Sequence, residues 1–343
     1  MSTPVIIAPQ TRAEQVTAEQ VTAEQVTVEQ VTVEQVTAEQ VTVEQVTAEQ
    51  VTAEQVTADL PLPVLGSLSP SRAGDFMTCP LLYRYRTIDR LPQAPSSAAT
   101  RGTLVHAVLE RLFDLPAAQR TPAAAAEMLA PEWGRMLAEE PAVGVLFADE
   151  TELASWLTSA RGLLDGYFSL EDPRRVDPAE REAFVEVVLP GGLRLRGIVD
   201  RVDVASTGAV RVVDYKTGRA PGEQFEAKAL FQMKFYALVL WRTRGEIPAL
   251  LQLMYLGDRE VLRYSPDEAD LLATERKLLA LWAAIERATE LRSFLPRASK
   301  LCGWCDHQAL CPEFGGEVLP WPVVIPSPDA LSPHHLAHLA RTE

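Results

Sequence analysis

The sequence predicts an α/β protein with a helical N-terminal part. Residues 101–115 carry leucine and valine at the three- and four-residue spacing of a helix. Two stretches rich in alanine and leucine, 121–138 and 150–169, continue that helical pattern. Segments rich in valine and isoleucine then follow one another across short turns, which is typical of a meander of strands. Helices before and after strands favour a sheet with helices packed against it.

The remaining predicted elements follow in chain order. A first helix begins near Ser69, because Pro70 suits the first helical position. The tail from Glu313 is rich in proline and is expected to be irregular. The predicted strands are 183–189, 193–204, 209–216, 249–256 and 260–264, and the later predicted helices are 225–243 and 267–292.

Residues 13–57 are nine copies of a five-residue unit, AEQVT or VEQVT. Subtracting their nine glutamates from the net charge of -15 leaves -6 for the other 298 residues. A period of five turns successive valines by about 140° around a helix axis and changes faces in a strand, so no apolar stripe forms. We expect a disordered or loosely helical tail, and a packed repeat domain is the alternative. The acidity of the chain therefore does not exclude a local DNA-binding surface.

Several protein classes are excluded or disfavoured by simple features. No apolar run approaches the roughly 18 residues of a membrane helix. Met1–Arg12 lacks the basic and apolar regions of a secretory signal. We therefore expect a cytoplasmic protein without a membrane partner. The chain has no Gly-Lys dipeptide, so it lacks a phosphate-binding P-loop and is not itself an ATP-driven helicase.

Two predicted strands carry acidic residues in line with apolar ones. Period-two alternation puts Asp200 on one face with Ile198 and Val202, and puts Asp214 and Lys216 on one face of the next strand. Two carboxylates side by side on a hairpin repel each other unless a cation lies between them, and oxygen ligands suit Mg²⁺ or Mn²⁺. The set suits metal-assisted hydrolysis of a phosphodiester. The spacing alone fits equally well with carboxylates that cap strand ends.

The segments Gly197–Asp203 (GIVDRVD) and Val213–Gly218 (VDYKTG) closely resemble the PD-(D/E)XK nucleases of the RecB type. Asp200 matches the first acidic position of that family, Asp214 the second, and Lys216 the lysine. The resemblance implies a restriction-endonuclease-like core, in which a mixed central sheet is flanked by helices. It also implies hydrolysis of DNA with one or two divalent metal ions.

A further motif of the family is a histidine on an upstream helix, matched here by His106 in Gly102–Glu110 (GTLVHAVLE). The resemblance implies that His106, Asp200, Asp214 and the backbone carbonyl of Tyr215 hold the metal ion. A lone histidine on a helix is more often structural, and the resemblance is what favours the ligand.

Gln232 and Tyr236 match the family's motif of glutamine followed four residues later by tyrosine. This spacing puts both side chains on one helix face. The family pattern implies that they face the active site and the substrate backbone, whereas Tyr236 taken alone would be read as core packing. Glu186, in the preceding strand, is a candidate to contact the metal ligands.

The four cysteines are divided between two places in the chain. Cys302, Cys305 and Cys311 lie close together, and Cys79 lies 223 positions earlier. This one-plus-three division resembles the iron–sulfur nucleases of the AddB type and the CRISPR-associated RecB-like exonucleases, which implies a structural 4Fe–4S cluster. A structural Zn²⁺ site and unliganded buried cysteines stay open as alternatives. Trp304, beside the cysteines, is interpreted as a packing residue.

A short stretch interleaves basic and aromatic residues. Arg84, Arg86 and Arg90 alternate with Tyr83 and Tyr85, so they could contact phosphates and stack on bases. An ordinary solvated helix face is the equal alternative.

Three segments are expected: a low-complexity tail over 1–66, a nuclease domain over 67–313 and a proline-rich tail over 314–343. The predicted function is that of a metal-dependent DNA exonuclease in repair or recombination, which acts on single-stranded DNA or duplex ends. The resemblance implies a helicase or repair complex as partner. Alternatives are an exonuclease of CRISPR adaptation, a non-catalytic DNA-binding or scaffold protein, and a zinc-stabilised interaction module.

Overall fold

The computed structural model describes residues 66–220 and 226–321. The pentapeptide repeat and most of the predicted C-terminal tail lie outside these residues. Within them a five-stranded sheet carries helices on both faces, which confirms the predicted α/β fold. The strands are β1 (Glu180–Val188), β2 (Arg194–Val204), β3 (Val210–Lys216), β4 (Leu250–Tyr255) and β5 (Glu260–Tyr264).

The longer helices lie close to the predicted positions. Ser69 caps the first of them, since its Oγ accepts a hydrogen bond from Arg72 N at 3.3 Å and Pro70 begins the helix. Among the residues described, no helix is both long and apolar enough to cross a membrane. These helices are α1 (Pro70–Thr78), α2 (Ser97–Leu112), α3 (Pro122–Glu139), α4 (Glu150–Leu170), α5 (Glu226–Arg244) and α6 (Glu268–Glu290).

The strands lie in the order β1-β2-β3-β4-β5. The first three form the predicted antiparallel meander. β3 and β4 are parallel, and α5 connects them because a parallel pair needs a long crossover. β5 returns antiparallel beside β4. The sheet is therefore mixed, as a restriction-endonuclease-like core requires.

Two apolar cores lie on the two faces of the sheet. In β3, Val212 points into the core formed with α1, α5 and α6, whereas Val213 points into the core formed with α2, α3 and α4. This alternation is the ordinary consequence of a pleated strand. Asp214 therefore follows Val212 on the α5 face, as predicted for β3.

The regular alternation predicted for β2 is wrong. Leu195, Val199 and Val202 all pack in the same core, so the strand changes phase between Val199 and Val202. Ile198 lies outside that core, and Asp200 falls at the irregular position. The neighbouring strand β1 has its left-handed residue at the same level, which explains why the phase changes there.

β2 and β3 separate partway along their length. Their pairing runs from Val204 to Arg201, which lies opposite Val213, and then stops. Beyond that point Leu68 occupies the free side of β2, where its N–H donates to Arg194 O at 2.8 Å and its carbonyl accepts from Arg196 N at 3.0 Å. The diverging strands leave room for side chains between them.

The alternation of arginine and tyrosine near residue 84 does not form a solvent-exposed surface. Tyr83 and Tyr85 are each only 1% exposed, so both the base-stacking and the solvated-face interpretations are wrong for them. Arg84 is also buried and forms an ion pair with Asp89. Arg86 pairs with Asp75 at 2.9 Å.

Trp321 anchors the segment after the cysteines to the body. Its ring lies 6.0 Å from Phe294 and under the Arg84 guanidinium. Arg84 also donates to the carbonyls of Leu319 at 2.6 Å and Pro320 at 2.9 Å. Trp321 lies beyond residue 313, yet it is part of the apolar core.

Candidate active site

Asp200 and Tyr215 meet where β2 and β3 diverge. Tyr215 N, which has no partner on β2 at this level, donates to Asp200 Oδ2 at 2.6 Å. The Tyr215 carbonyl accepts from His106 Nε2 at 2.9 Å. The predicted metal ligands His106, Asp200 and Tyr215 are therefore brought together.

His106 reaches this point from α2, on the face of the sheet opposite α5. Because Nε2 donates to Tyr215 O, Nδ1 is the nitrogen that keeps a free lone pair. Nδ1 lies 3.6 Å from Asp200 Oδ1. A hydrogen bond on one ring nitrogen that frees the other is the usual arrangement of a metal-binding histidine.

Glu182 is a site residue that the sequence analysis missed. It lies on β1 between the pairs that join Arg181 to Arg201 and Ala183 to Val199, so it faces Asp200. Its φ of 43° lies in the left-handed region, which is uncommon outside glycine and marks many functional sites. One donor atom from each of three residues, His106, Glu182 and Asp200, lies within 4.8 Å of the others.

Electrostatic repulsion acts strongly on Glu182. Burial, and then the carboxylates of Asp200, Glu110 and Asp214, raise its pKa to about 9. Glu186, the residue predicted to contact the metal ligands, instead accepts from Arg194 Nη1 at 3.1 Å. The sequence pattern does not distinguish Glu182 from Glu186, because it does not reveal the left-handed φ that turns Glu182 toward Asp200.

Asp214 lies on the α5 side of the site and is 2% exposed. Its Oδ1 accepts from Gln232 Nε2 at 2.9 Å, and Lys216 Nζ lies 2.6 Å from Oδ2. Burial and the Asp200 carboxylate raise the pKa of Asp214 to about 6, while Lys216 partly offsets them. The carboxylates of Asp200 and Asp214 are therefore close enough to repel each other, as expected for two aspartates on neighbouring strands of a hairpin.

Gln232 connects the lysine with the aspartate. Its Oε1 accepts from Lys216 Nζ at 2.8 Å, and its Nε2 donates both to Asp214 and to Tyr236 OH, the latter at 3.2 Å. Gln232 and Tyr236 lie on one face of α5, as predicted, and Gln232 contacts Asp214 there. Gly197 lies against the Tyr236 ring, since a Cβ there would be 2.7 Å from Cε1.

A buried ion network lies beneath the site on the α2 side. Arg201 is fully buried, donates to Tyr215 OH at 2.7 Å, and pairs with Glu171 at 2.7 Å and Asp203 at 3.0 Å. Arg211 joins the same two carboxylates. The network holds the Tyr215 side chain in place. The backbone N–H and carbonyl of Tyr215 are then positioned to contact Asp200 and His106.

The donor set fits a hard divalent cation. Glu182, Asp200 and Asp214 repel one another, and the raised pKa values of two of them express that repulsion. A divalent cation would relieve it, and carboxylate and carbonyl oxygens with one imidazole suit Mg²⁺ or Mn²⁺.

A family model described as the PD-(D/E)XK nuclease superfamily matches residues 67–312. The chain belongs to this superfamily. The match covers all five strands of the described sheet. It also covers the residues around Asp200 and Asp214 and the four cysteines. Asp200, Asp214 and Lys216, which the sequence pattern assigns to the superfamily's two acidic positions and its lysine, all lie within the matched residues.

Similar proteins occur in mycobacteriophages. The "Gene 69 protein" of Mycobacterium phage D29 is 27% identical over 276 residues, which are 72% of this chain and 96% of that protein. The "Gene 69 protein" of Mycobacterium phage L5 is 32% identical over 127 residues, or 36% of this chain and 41% of that protein. A crystal structure from Eubacterium rectale named "Putative exonuclease" aligns with a TM-score of 0.47 at 12% identity, over 77% of this chain and 93% of that one.

A second candidate site lies at the cysteines. Cys79, Cys302, Cys305 and Cys311 line one pocket, although Cys79 comes from the end of α1 and the others from the C-terminal segment. Burial and the three other thiols raise the pKa of Cys311. Among the described residues, no three cysteine sulfurs lie within 4.8 Å of one another.

Polar groups around this pocket point toward sulfur. Arg297 N donates to Cys79 Sγ at 3.3 Å, and Ser299 N donates to Cys302 Sγ at 3.2 Å. His307 is 5% exposed and lines the pocket, and its buried Nε2 has no hydrogen-bond partner in the described chain. Trp304 is 87% exposed, so its interpretation as a packing residue is wrong.

Proposed function

We propose that this PD-(D/E)XK nuclease is a metal-dependent DNA exonuclease of the RecB type that acts on DNA ends in repair or recombination. The observation that carries the proposal is the convergence of Asp200, Asp214 and Lys216 where β2 and β3 diverge. A lysine held beside paired carboxylates is the arrangement that metal-assisted phosphodiester hydrolysis needs.

The proposed metal ligands are His106, Asp200, Asp214 and the Tyr215 carbonyl, and we add Glu182 to them. A carbonyl oxygen has two lone pairs, so its hydrogen bond from His106 leaves one for a cation. A bound Mg²⁺ or Mn²⁺ lowers the pKa of a water molecule and neutralises charge on the phosphate.

Hydrolysis joins a water oxygen to phosphorus and breaks one bridging P–O bond, and the leaving oxygen takes up a proton. Lys216 Nζ, held by Asp214 and Gln232, is the group that orients the attacking water. Gln232 fixes the lysine and the aspartate relative to each other. The Tyr236 hydroxyl ends this chain of polar groups and faces the substrate backbone.

Cleavage assays test the proposal. Linear and covalently closed circular DNA, single- and double-stranded, are incubated with the full chain and Mg²⁺ or Mn²⁺. We expect mononucleotide or short products from linear DNA only, and their loss in Asp214→Asn and Lys216→Ala. Cleavage that persists in both variants overturns the site assignment, and cleavage of closed circles overturns exonuclease action.

We also propose that the four cysteines hold a 4Fe–4S cluster that joins α1 to the C-terminal segment. With Zn–S bonds of about 2.3 Å, the sulfurs around a zinc ion lie about 3.8 Å apart. Backbone N–H donors to two sulfurs and the unpaired Nε2 of His307 suit a group rich in acceptors.

Anaerobic purification tests the cluster. We expect a brown protein that absorbs near 400 nm and contains about four iron and four sulfide per chain. Cys79→Ser should lose the colour, while Ser299→Ala, which keeps the backbone donor to Cys302, should retain it. A colourless protein with one zinc per chain overturns the proposal.

The resemblance also supports a helicase or repair-complex partner. We propose three segments, with a first boundary near residue 66 and a second after Trp321 rather than at 313, because Trp321 packs in the core. Limited proteolysis followed by mass spectrometry tests that organisation. A protected core that begins near residue 66 is the expected result. Protection of the repeat against protease would contradict a disordered tail.

A further inference from the structure

Two arginines beside the active site have no carboxylate partner in the part of the chain that the structure describes. Arg72, on α1, donates through Nη1 to Ser67 O at 3.0 Å and to Ser67 Oγ at 3.3 Å. Both acceptors are neutral. Arg196, on β2, donates through its backbone to Leu68 O at 3.0 Å, and Glu186, which lies opposite it on β1, forms its ion pair with Arg194 instead. The guanidinium groups of both residues therefore keep their full positive charge.

Neighbouring arginines, by contrast, form ion pairs with carboxylates. Arg194, on the same face of β2 two residues earlier, pairs with Glu186 at 3.1 Å. Arg86 pairs with Asp75, although it lies in the same N-terminal region as Arg72. Carboxylates are abundant in a chain of net charge -15, so the unneutralised pair stands out.

Arg72 and Arg196 come together at β2, on the strand that also carries Asp200. Gly197 lies against the Tyr236 ring, and because strand side chains alternate, Arg196 points to the opposite face of the sheet, which it shares with Glu186. The first turn of α1 reaches the same point, because Pro70 Cδ would be 3.5 Å from a Cβ at Gly197. Arg196 also lies four residues before Asp200, a distance of about 13 Å along a strand.

The positive charges act on each other. Burial, and then the charges of Arg196 and Arg90, lower the pKa of Arg72. Like charges held close together repel, and a bound anion relieves that repulsion. Arginine is the side chain best suited to grip phosphate, because its planar fork donates two parallel hydrogen bonds.

We infer that Arg196 and Arg72 bind backbone phosphates of the DNA strand a few nucleotides from the bond that is cut. The inference rests on the proposed nuclease function and adds to it a binding subsite on β2, four residues before Asp200. A span of about 13 Å corresponds to about four nucleotides of duplex rise, so the subsite holds DNA a few nucleotides away from the metal ligands. The contact is to phosphate, so it is independent of base sequence.

Binding measurements test the subsite. Fluorescence anisotropy with a labelled DNA end is recorded in Mn²⁺ at several salt concentrations, in an Asp214→Asn background that does not cleave. Each lost phosphate contact should reduce the slope of log K against log salt by about one and raise Kd about five- to tenfold at 0.1 M salt. We expect this from Arg196→Gln and Arg72→Gln, and a smaller loss from Arg196→Lys.

Arg287→Gln is the matched control, because Arg287 is exposed on α6, which contributes no residue to the site. Its slope and Kd should stay near those of the parent, as should the unfolding temperature of Arg196→Gln. Unchanged slopes in both Arg72 and Arg196 variants overturn the inference while the nuclease function stands. Wild-type protein that neither binds nor cleaves DNA overturns the proposed function itself. Loss of a protein partner without any change in DNA binding also overturns the inference, because it assigns the arginines to another macromolecule.

Discussion

Glu182 faces Asp200 across β1 and β2, and the two carboxylates share one small space with the imidazole of His106. The protein folds with a left-handed residue on an edge strand to create this arrangement. Without a cation the carboxylates destabilise the fold, and with a cation they become its ligands. The arrangement therefore lowers the stability of the metal-free protein and raises its affinity for a metal ion.

Replacing Glu182 should change stability and metal affinity in opposite directions. At pH 7 we expect Glu182→Gln to raise the unfolding temperature of the metal-free protein by about 2–6 °C, because the fold opposes ionisation of Glu182 whereas the unfolded chain ionises it freely. The same change should weaken Mn²⁺ binding by about 10- to 100-fold. Calorimetry in EDTA and titration with Mn²⁺ measure the two effects. Glu186→Gln, at a paired surface position, should alter neither.

The pH dependence of stability follows from the same carboxyls. In the folded protein, the pKa values of Glu182 and Asp214 are about 9 and about 6, against ordinary values of 4.5 and 3.8. The folded protein thus binds more protons than the unfolded chain, so the stability that they contribute is present at low pH and lost as pH rises toward 9. Urea unfolding in EDTA from pH 5 to 9 should reveal this fall, and Glu182→Gln should flatten it above pH 6. A stability that rises over that range would contradict the assignment.

Gly197→Ala should displace the Tyr236 ring through a steric clash, without a change of charge or hydrogen-bonding groups at position 197. The added Cβ would lie 2.7 Å from Tyr236 Cε1, so the ring must move, and Gln232 loses its hydroxyl partner. We expect a loss of about 1–3 kcal/mol of stability, as for other overpacked cores, together with slower cleavage. Gly162→Ala provides the control, since nothing lies within 4 Å of its Cβ on an exposed turn of α4. Equal behaviour of the two variants would mean that Tyr236 need not stay in place.

Gln232→Ala should lower kcat more than it raises KM. The amide fixes Lys216 and Asp214 together, so its loss misplaces the groups that act on the transition state. A decrease in kcat of about 10- to 1,000-fold is expected from the loss of such positioning. Steady-state kinetics on linear DNA give both constants. A change confined to KM would make Gln232 a binding residue only.

Arg201 holds the Tyr215 side chain beneath the site, and its removal should destabilise the fold as well as slow cleavage. Arg201→Ala leaves the Glu171 and Asp203 carboxylates buried without their principal partner. Breaking a buried pair in this way costs about 3–5 kcal/mol. Arg211→Ala, which removes a partly exposed arginine from the same network, should cost much less. Denaturant unfolding of both variants distinguishes the two positions.

The sequence was sufficient to predict the helices and strands and the common face of Asp214 and Lys216. β3 alternates regularly, so Asp214 and Lys216 could be assigned to one face from Val212 alone. His106 and Gln232 were identified only through resemblance to the family, because single polar residues on helices have many structural explanations. Their contacts with Tyr215 and Asp214 involve residues 109 and 18 positions away, which no local pattern encodes.

Glu182 could not be predicted for a physical reason. Its side chain reaches Asp200 only because the backbone takes a left-handed turn there, and the phase of β2 changes with it. Burial near residue 84 was misjudged for a similar reason. The segment that covers Arg84 comes from residues 319–321, which are 235 or more positions away.

The contact between Arg84 and Trp321 has a practical consequence for anyone who expresses this domain. A recombinant fragment that stops at residue 313 would remove the indole that covers Phe294 and the two carbonyls that satisfy the Arg84 guanidinium. A newly exposed aromatic surface and a buried cation without acceptors both favour aggregation. Fragments for crystallisation should therefore extend at least to Trp321.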